Sequence, residues 1–246
     1  MDRKLILIIP VLNGENFLPD TFKKLDDFFY TKKYLDKIIF VNDGSNDKTP
    51  KLLAGYQRAS ALNIEIMENV KNSGKGGAIK KAVSAICPYA DIIAFTDVDL
   101  PYGLSSVEAM VKIFSADLKA GLIIGNRNLA REKQYSPYRY FLKRIFIIFL
   151  PRKLKKYTDT QSGIKSFNGE IANNFKMIKS SGWCFDLELL LIAINNNCKI
   201  IEIPVQLEKV HFFGGVSLIK HGLVIMRDLI YIKIREKRGL YNYKNG

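Results

Sequence analysis

Asp97-Val98-Asp99 follows the apolar run Ile92-Ile93-Ala94-Phe95 with Thr96 between them, and Val41-Asn42-Asp43-Gly44-Ser45 precedes it at strand-and-loop spacing. A buried strand ending in two carboxylates one residue apart sets both at the carboxyl edge of a sheet, where open α/β folds bind ligands. Two carboxylates with an apolar approach suit a hard divalent cation that keeps several waters and bridges substrate phosphates. That pattern points to a nucleotide-diphosphate site with Asp97 and Asp99 as the metal pair. Taken alone, Asp43 reads equally well as a turn residue, and Ser45 or Asp47 is placed to cap a helix starting near Thr49. Capping accounts for one such aspartate, not three: carboxylates converging on one crevice repel unless a cation or donors occupy it.

Asn72-Ser73-Gly74-Lys75-Gly76-Gly77-Ala78 opens a helix, with glycines that free backbone N–H groups for an anion and Lys75 beside them. It lacks the P-loop spacing. By itself it reads as a plain strand-to-helix connection, and it gains weight only from its neighbours.

The elements that must position these residues are legible as apolar runs of strand length: Leu5 to Val11, Lys37 to Val41, Ile64 to Met67, Ile92 to Phe95 and Gly121 to Ile124. Helical patterns lie between them at about Phe17 to Phe29, Thr49 to Ser60, Gly77 to Ile86 and Leu104 to Phe114. Strands apolar on both faces and joined by helices predict an α/β fold with a mostly parallel, doubly wound sheet. Beyond Arg127 come a basic, aromatic stretch, a compact segment from Asp159 to Val205, and an amphipathic helix near Leu218 to Arg235.

The 246 residues suffice for one full hydrophobic core. A net charge of +14 predicts an anionic partner. Cys87, Cys184 and Cys198 form no paired framework, which favours a reducing compartment. Two histidines, His211 and His221, are too few for a histidine-based zinc site. Leu5 to Leu12 contains Pro10 and no cleavage pattern, so it reads as a strand rather than a signal peptide. Ile145 to Leu150 falls far short of the ~20 residues of a spanning helix. The expectation is a protein that is soluble or lies on a membrane.

In sequence order, the chain resembles family 2 of the glycosyltransferases, and within it the dolichyl-phosphate or polyprenyl-phosphate hexose synthases of GT-A fold. Ile9 to Asn13, Val41 to Thr49, Asn72 to Ala78, Asp97 to Leu100, Gly125-Asn126-Arg127, Asp159-Thr160-Gln161-Ser162-Gly163, Trp183 to Leu190 and Glu202 to Val205 carry the resemblance. The Trp-x-Phe-Asp-x-Glu pattern from Trp183 leans towards the dolichyl-phosphate glucose synthases. The resemblance implies that Asp43, with Pro10 and Asn13, lines the base and ribose pocket, that Lys75 belongs to the donor site, and that Asp97 and Asp99 form the DxD motif holding Mg2+ or Mn2+ and the donor diphosphate. It makes Asp99, Arg127 and Asp159 the catalytic group, Asp159 organising the site. Leu12, Gly14 and Asn42 depart from the residues usual in the family, which leaves the nucleotide base open between a UDP-glucose and a GDP-mannose donor, and Asn126 replaces the usual Ser before Arg127. Implied boundaries are 1–210 for the GT-A domain, with 1–126 the nucleotide-sugar half and 127–210 the acceptor half, and 211–246 for an acceptor loop and basic helix.

From Arg127 to Lys156 the sequence holds ten Lys or Arg and one acid, Glu132, interleaved with Tyr135, Tyr138, Tyr140, Phe141, Phe146 and Phe149. That mixture suits the boundary between headgroups and acyl chains. Arg127, helped by Arg131 and Arg139, is the candidate for an acceptor phosphate, since guanidinium donors match phosphate geometry. In the last helix Ile219, Leu223, Met226 and Ile230 share a face ringed by basic residues, each contributing about 1 kcal/mol near an anionic leaflet. The same helix could instead pack on its own domain or on a membrane-embedded partner subunit. The expected partners are a nucleotide sugar, a polyprenyl phosphate and the cytoplasmic face of a membrane, with no nucleic acid. Two rivals are kept: a soluble family 2 enzyme acting on a sugar or protein hydroxyl, with Asp159 or Asp186 as base, and an inactive membrane- or nucleic-acid-binding scaffold.

Overall fold

The computed structural model describes residues 3–86, 90–130, 147, 149–182, 184–208 and 218–243. Its strands are β1 (Leu5–Val11), β2 (Leu35–Asn42), β3 (Ile64–Glu68), β4 (Ile92–Phe95), β5 (Ala120–Asn126), β6 (Lys165–Asn168) and β7 (Lys199–Pro204). They form one seven-stranded sheet in the order β3-β2-β1-β4-β6-β5-β7. Every neighbouring pair is parallel except those of β6, which runs antiparallel to both β4 and β5. The expected mostly parallel sheet is therefore present, with one reversed strand in its interior, fifth of the seven.

The helices are α1 (Leu18–Phe29), α2 (Thr49–Ala59), α3 (Lys75–Ile86), α4 (Gly103–Ala116), α5 (Gly169–Asn173), α6 (Phe185–Asn195) and α7 (Leu218–Lys237). The period-two alternation of β1 divides the core. Leu5, Leu7, Ile9 and Val11 face α1, α2 and α4, while Ile6 and Ile8 face α3, α5, α6 and α7. Each apolar side chain so buried contributes roughly 1.5–3 kcal/mol. Helix α6 is buried on every side from Phe185 to Ala193, Asp186 and Glu188 included.

Two sequence expectations are refined. Asp47 Oδ1 does accept the Thr49 N–H at 3.0 Å, but Ser45 does not cap: its Oγ accepts from Asn13 N at 2.9 Å. The last helix buries Leu229 and Ile232, whereas Ile230 is exposed. It thus carries two apolar faces, one packed on the core and one open. No helix among the described residues is long and apolar enough to cross a membrane.

Candidate active site

Three loops meet at the carboxyl edge of the sheet. The loop after β1 is stitched to the loop after β2: Asn13 Oδ1 accepts from Asn46 N at 2.9 Å, Gly14 N donates to Thr49 Oγ1 at 2.8 Å, and Glu15 N donates to Asp47 Oδ2 at 3.1 Å. Asn13 takes up the left-handed backbone, φ 51°, that this stitch requires. Pro10, half-buried, is the last residue but one of β1. Asp43 is buried, and its Oδ1 accepts from Asn69 Nδ2 (2.7 Å), Ser73 N (2.9 Å) and Ser73 Oγ (2.7 Å). It therefore anchors the loop before α3, a structural duty beside any contact with a base.

The glycines of that loop do something other than free donors for an anion. Gly77 N donates to Ser181 O at 3.0 Å and Gly74 N to Asn72 Oδ1 at 2.8 Å. A Cβ on Gly74 would come within 2.6 Å of Ser181 O, and one on Gly76 within 2.7 Å of Phe185 Cβ. The glycines let α3 start against the backbone that leads into α6. Two of the N–H groups expected to face an anion are thus already committed within the fold.

The chain after β4 turns sharply. Leu100 N donates to Asp97 O at 3.0 Å, Leu100 adopts φ 48°, and Thr21 Oγ1 donates to Val98 O at 2.5 Å. This turn presents Asp97 and Asp99, both half-buried, at the edge. Lys75 Nζ pairs with Asp97 Oδ1, while Gly163 lies against Asp97 Oδ2, where a Cβ would approach to 2.1 Å. Burial works against the Lys75 ammonium, yet Asp97 and then Asp186 outweigh it and hold its pKa above the ordinary lysine value. The hard oxygens of Asp97 and Asp99 fit a small divalent cation. No cluster of three His, Cys, Asp or Glu is present among the described residues, so such a cation would draw its other ligands from phosphates and water, as Mg2+ and Mn2+ do.

At the end of β5, Arg127 is clamped by Asp159. Nε donates to Asp159 Oδ2 and Nη2 to Oδ1, both at 2.7 Å, and the Arg127 backbone N–H adds a bond to Oδ2 at 2.9 Å. Burial alone would raise the Asp159 pKa; the hydrogen bonds and charge of Arg127 reverse that and hold it below the ordinary aspartate value. The preceding Asn126 is fully buried and joins β5 to Thr158 Oγ1 (2.8 Å) and to Glu202 Oε1 of β7 (2.7 Å). Tyr102 lies close by, its hydroxyl 3.5 Å from Gly163 N and its pKa raised chiefly by burial.

A sequence profile settles the lineage, since it matches residues 6–173. The chain belongs to glycosyl transferase family 2. Family 2 relatives with similarity over most of the chain include the dolichyl-phosphate beta-glucosyltransferase of Dictyostelium discoideum, 28% identical over 98% of this chain and 77% of the relative. That of Saccharomyces cerevisiae is 29% identical over 87% and 69%, and that of Homo sapiens 26% identical over 97% and 78%. The crystal structure of glucosyl-3-phosphoglycerate synthase from Mycobacterium tuberculosis with Mn2+, UDP and glucosyl-3-phosphoglycerate superposes with a TM-score of 0.67 at 17% identity, covering 99% of this chain and 82% of that one. Strand order and this likeness together give the GT-A fold expected of a family 2 glycosyltransferase.

Of the candidate residues, the structure brings Lys75 and Asp97 together, and Arg127 and Asp159; Pro10, Asn13 and Asp43 line the neighbouring loops. Arg131, Arg139, Trp183 and the loop 211–217 lie outside the described residues. Sequence reasoning passed over Lys165 and Tyr102, and it held Gly163 as a member of the motif from Asp159 without a role of its own. The available signal for Lys165 was its setting, a lysine between Ile164 and Phe167 in a stretch of strand length, because a lysine is almost never fully buried unless paired. Nothing in the sequence marked Gly163 as the residue beneath Asp97.

Proposed function

We propose that this chain is an inverting glucosyltransferase that moves glucose from UDP-glucose to dolichyl phosphate, or another polyprenyl phosphate, at the cytoplasmic surface of a membrane. The reach of the similarity carries this reading. Relatives named dolichyl-phosphate beta-glucosyltransferase align over 98% of the chain, well past residue 173 where the family match ends. The acceptor half is thus covered as well as the donor half.

In this reading residues 1–126 hold the donor, with Pro10, Asn13 and Asp43 around base and ribose and Lys75 and Asp97 at the diphosphate. Residues 127–210 receive the acceptor, and 211–246 supply a loop and a membrane-facing helix. Asp97 and Asp99 would hold Mg2+ or Mn2+, which when bound neutralises charge on a diphosphate. An oxygen of the lipid phosphate attacks the anomeric carbon as the bond from that carbon to UDP breaks on the opposite side, so the configuration inverts. A phosphate oxygen is already anionic at neutral pH, and no strong base is required. Positioning is the main demand. Arg127 suits the acceptor phosphate because Asp159 holds its guanidinium in one orientation, with Arg131 and Arg139 as further donors. Lys75 stands where negative charge grows on the leaving diphosphate.

The test is to incubate the full chain with Mn2+, dolichyl phosphate and labelled UDP-glucose or GDP-mannose in parallel, then count label extracted into organic solvent. Label from UDP-glucose is expected. Label from GDP-mannose alone would replace the sugar, and none from either, with UDP binding intact, would transfer the reading to a hydroxyl acceptor. Asp99→Asn should lower transfer at least about 100-fold, a loss typical of removing one charge-stabilising group, while thermal melting is retained. Normal turnover by that variant would remove the metal assignment.

A further inference from the structure

Lys165 is the one strand residue of β6 with a charged side chain, and it is fully buried. Its Nζ donates to Ser162 O at 2.7 Å, lies 2.7 Å from Asp186 Oδ1, and stands 5.8 Å from the centre of the Phe95 ring. The contact with Asp186 is a buried ion pair. Lys75 Nζ stands 5.6 Å from the centre of the same ring. Each partner of Lys165 belongs to a different wall of the donor site. Ser162 precedes Gly163, the residue against which Asp97 rests. Asp186 opens α6 and attracts Lys75. Phe95 ends the strand that delivers Asp97. A buried ammonium is costly unless paired and hydrogen-bonded, and a hydrophobic side chain would fill this place between β4 and β5 at less cost.

We propose that Lys165 is a positioning residue of the donor site: its ammonium ties the Ser162-Gly163 turn under Asp97 to the Asp186 carboxylate facing Lys75, and so sets where the two groups that meet the diphosphate stand. The proposal rests on the reading of Asp97 and Lys75 as donor ligands, and it touches neither the sugar nor the acceptor.

The experiment separates positioning from packing. Lys165→Met removes the ammonium paired with the buried Asp186 and leaves only Lys75 to offset its charge, so its melting temperature falls. The double variant Lys165→Met with Asp186→Leu removes the stranded charge as well and regains the melting temperature. Calorimetric titration of each with UDP and Mn2+ is the deciding measurement. The proposal expects affinity at least ten-fold weaker than wild type in the double variant although its stability has returned, and a fall in kcat with the KM for lipid phosphate unchanged. Wild-type affinity for UDP in the restabilised variant would overturn it. Gly163→Ala gives an independent reading, because a methyl there must displace Asp97; it is expected to weaken UDP and Mn2+ binding without altering β6. Unchanged binding in Gly163→Ala would also count against the proposal. Were wild-type protein to bind UDP and Mn2+ yet transfer no glucose to dolichyl phosphate, the proposed function would fail while the binding comparison still decided the role of Lys165.

Discussion

Glu188 lies next to a motif acid of the site, yet everything around its carboxylate is scaffold. Its Oε2 accepts from Lys179 N at 3.0 Å and Ser180 N at 2.6 Å, and its Oε1 accepts from Tyr241 OH at 2.7 Å, with Arg235 Nε 3.7 Å away. It is fully buried. Hydrogen bonds to a charged group are each worth about 1.5–3 kcal/mol, so Glu188→Ala should cost at least about 3 kcal/mol in urea melts and Glu188→Gln less, with kcat per folded molecule close to wild type. Asp186, two residues earlier, shows the opposite assignment from the same local sequence: it faces Lys165 and Lys75. The Arg127–Asp159 pair makes a different prediction. Removing one partner of a buried pair strands the other's charge at a cost of 3–5 kcal/mol, and because Arg127 is about one-third exposed the loss in Arg127→Ala should be nearer 2 kcal/mol. The sign with pH follows. In the wild type Asp159 has a depressed pKa, so its contribution is present above the ordinary aspartate value and is lost only as pH falls through the lower folded value. In Arg127→Ala burial remains with only the weaker pull of Lys165 against it and the pKa rises, so the penalty should be largest near pH 7 and shrink towards pH 4. Urea melts at both pH values check this; a penalty independent of pH would detach Asp159 from Arg127.

At the scale of elements, the same physics explains what could and could not be read from the sequence. β1 and β4 match their apolar runs residue for residue, and α1 to α4 fall within two residues of their expected limits, because amphipathic period and strand length agree there. β6 escaped because Lys165-Ser166-Phe167-Asn168 carries no apolar run: its burial depends on a partner, Asp186, contributed by another element. α6 has no polar face and hence no 3.6-residue stripe, and what marked it as a core helix was its aromatic and leucine-rich start from Trp183 to Leu190. β7 is half exposed along most of its length. The aspartates at strand ends were legible because a carboxylate after an apolar run is a local pattern, whereas Gly163 beneath Asp97 is a meeting of distant segments. The two faces of α7 give a matched pair of expectations. Ile232→Ala, on the packed face, should cost about 2–5 kcal/mol. Ile230→Glu with Ile234→Glu, on the exposed face, should leave stability within about 0.5 kcal/mol per site and reduce co-sedimentation with anionic vesicles several-fold. Unchanged vesicle binding would show that this face does not meet lipid.

For the whole molecule, a net charge of +14 makes association with an anionic surface a long-range effect that salt controls. Screening lengths shrink from about 10 Å at 0.1 M salt to about 3 Å at 1 M, so vesicle binding should weaken steeply over that range while UDP affinity falls much less. Equal loss of both would assign the charge to the donor pocket. The reversed strand inside the sheet has its own consequence for how the molecule comes into being. Among the described residues β5 pairs with β6 and β7 alone, both of which lie later in the chain, and β4 keeps one unsatisfied edge until β6 is made. During synthesis the first four strands can associate as soon as they emerge, whereas β5 must wait, without a neighbour, for some forty further residues. Through that interval the growing chain exposes a four-residue apolar edge of the kind that recruits other chains. Lys165, the first residue of β6, thus ends the edge's exposure in the same step that brings Gly163 against Asp97.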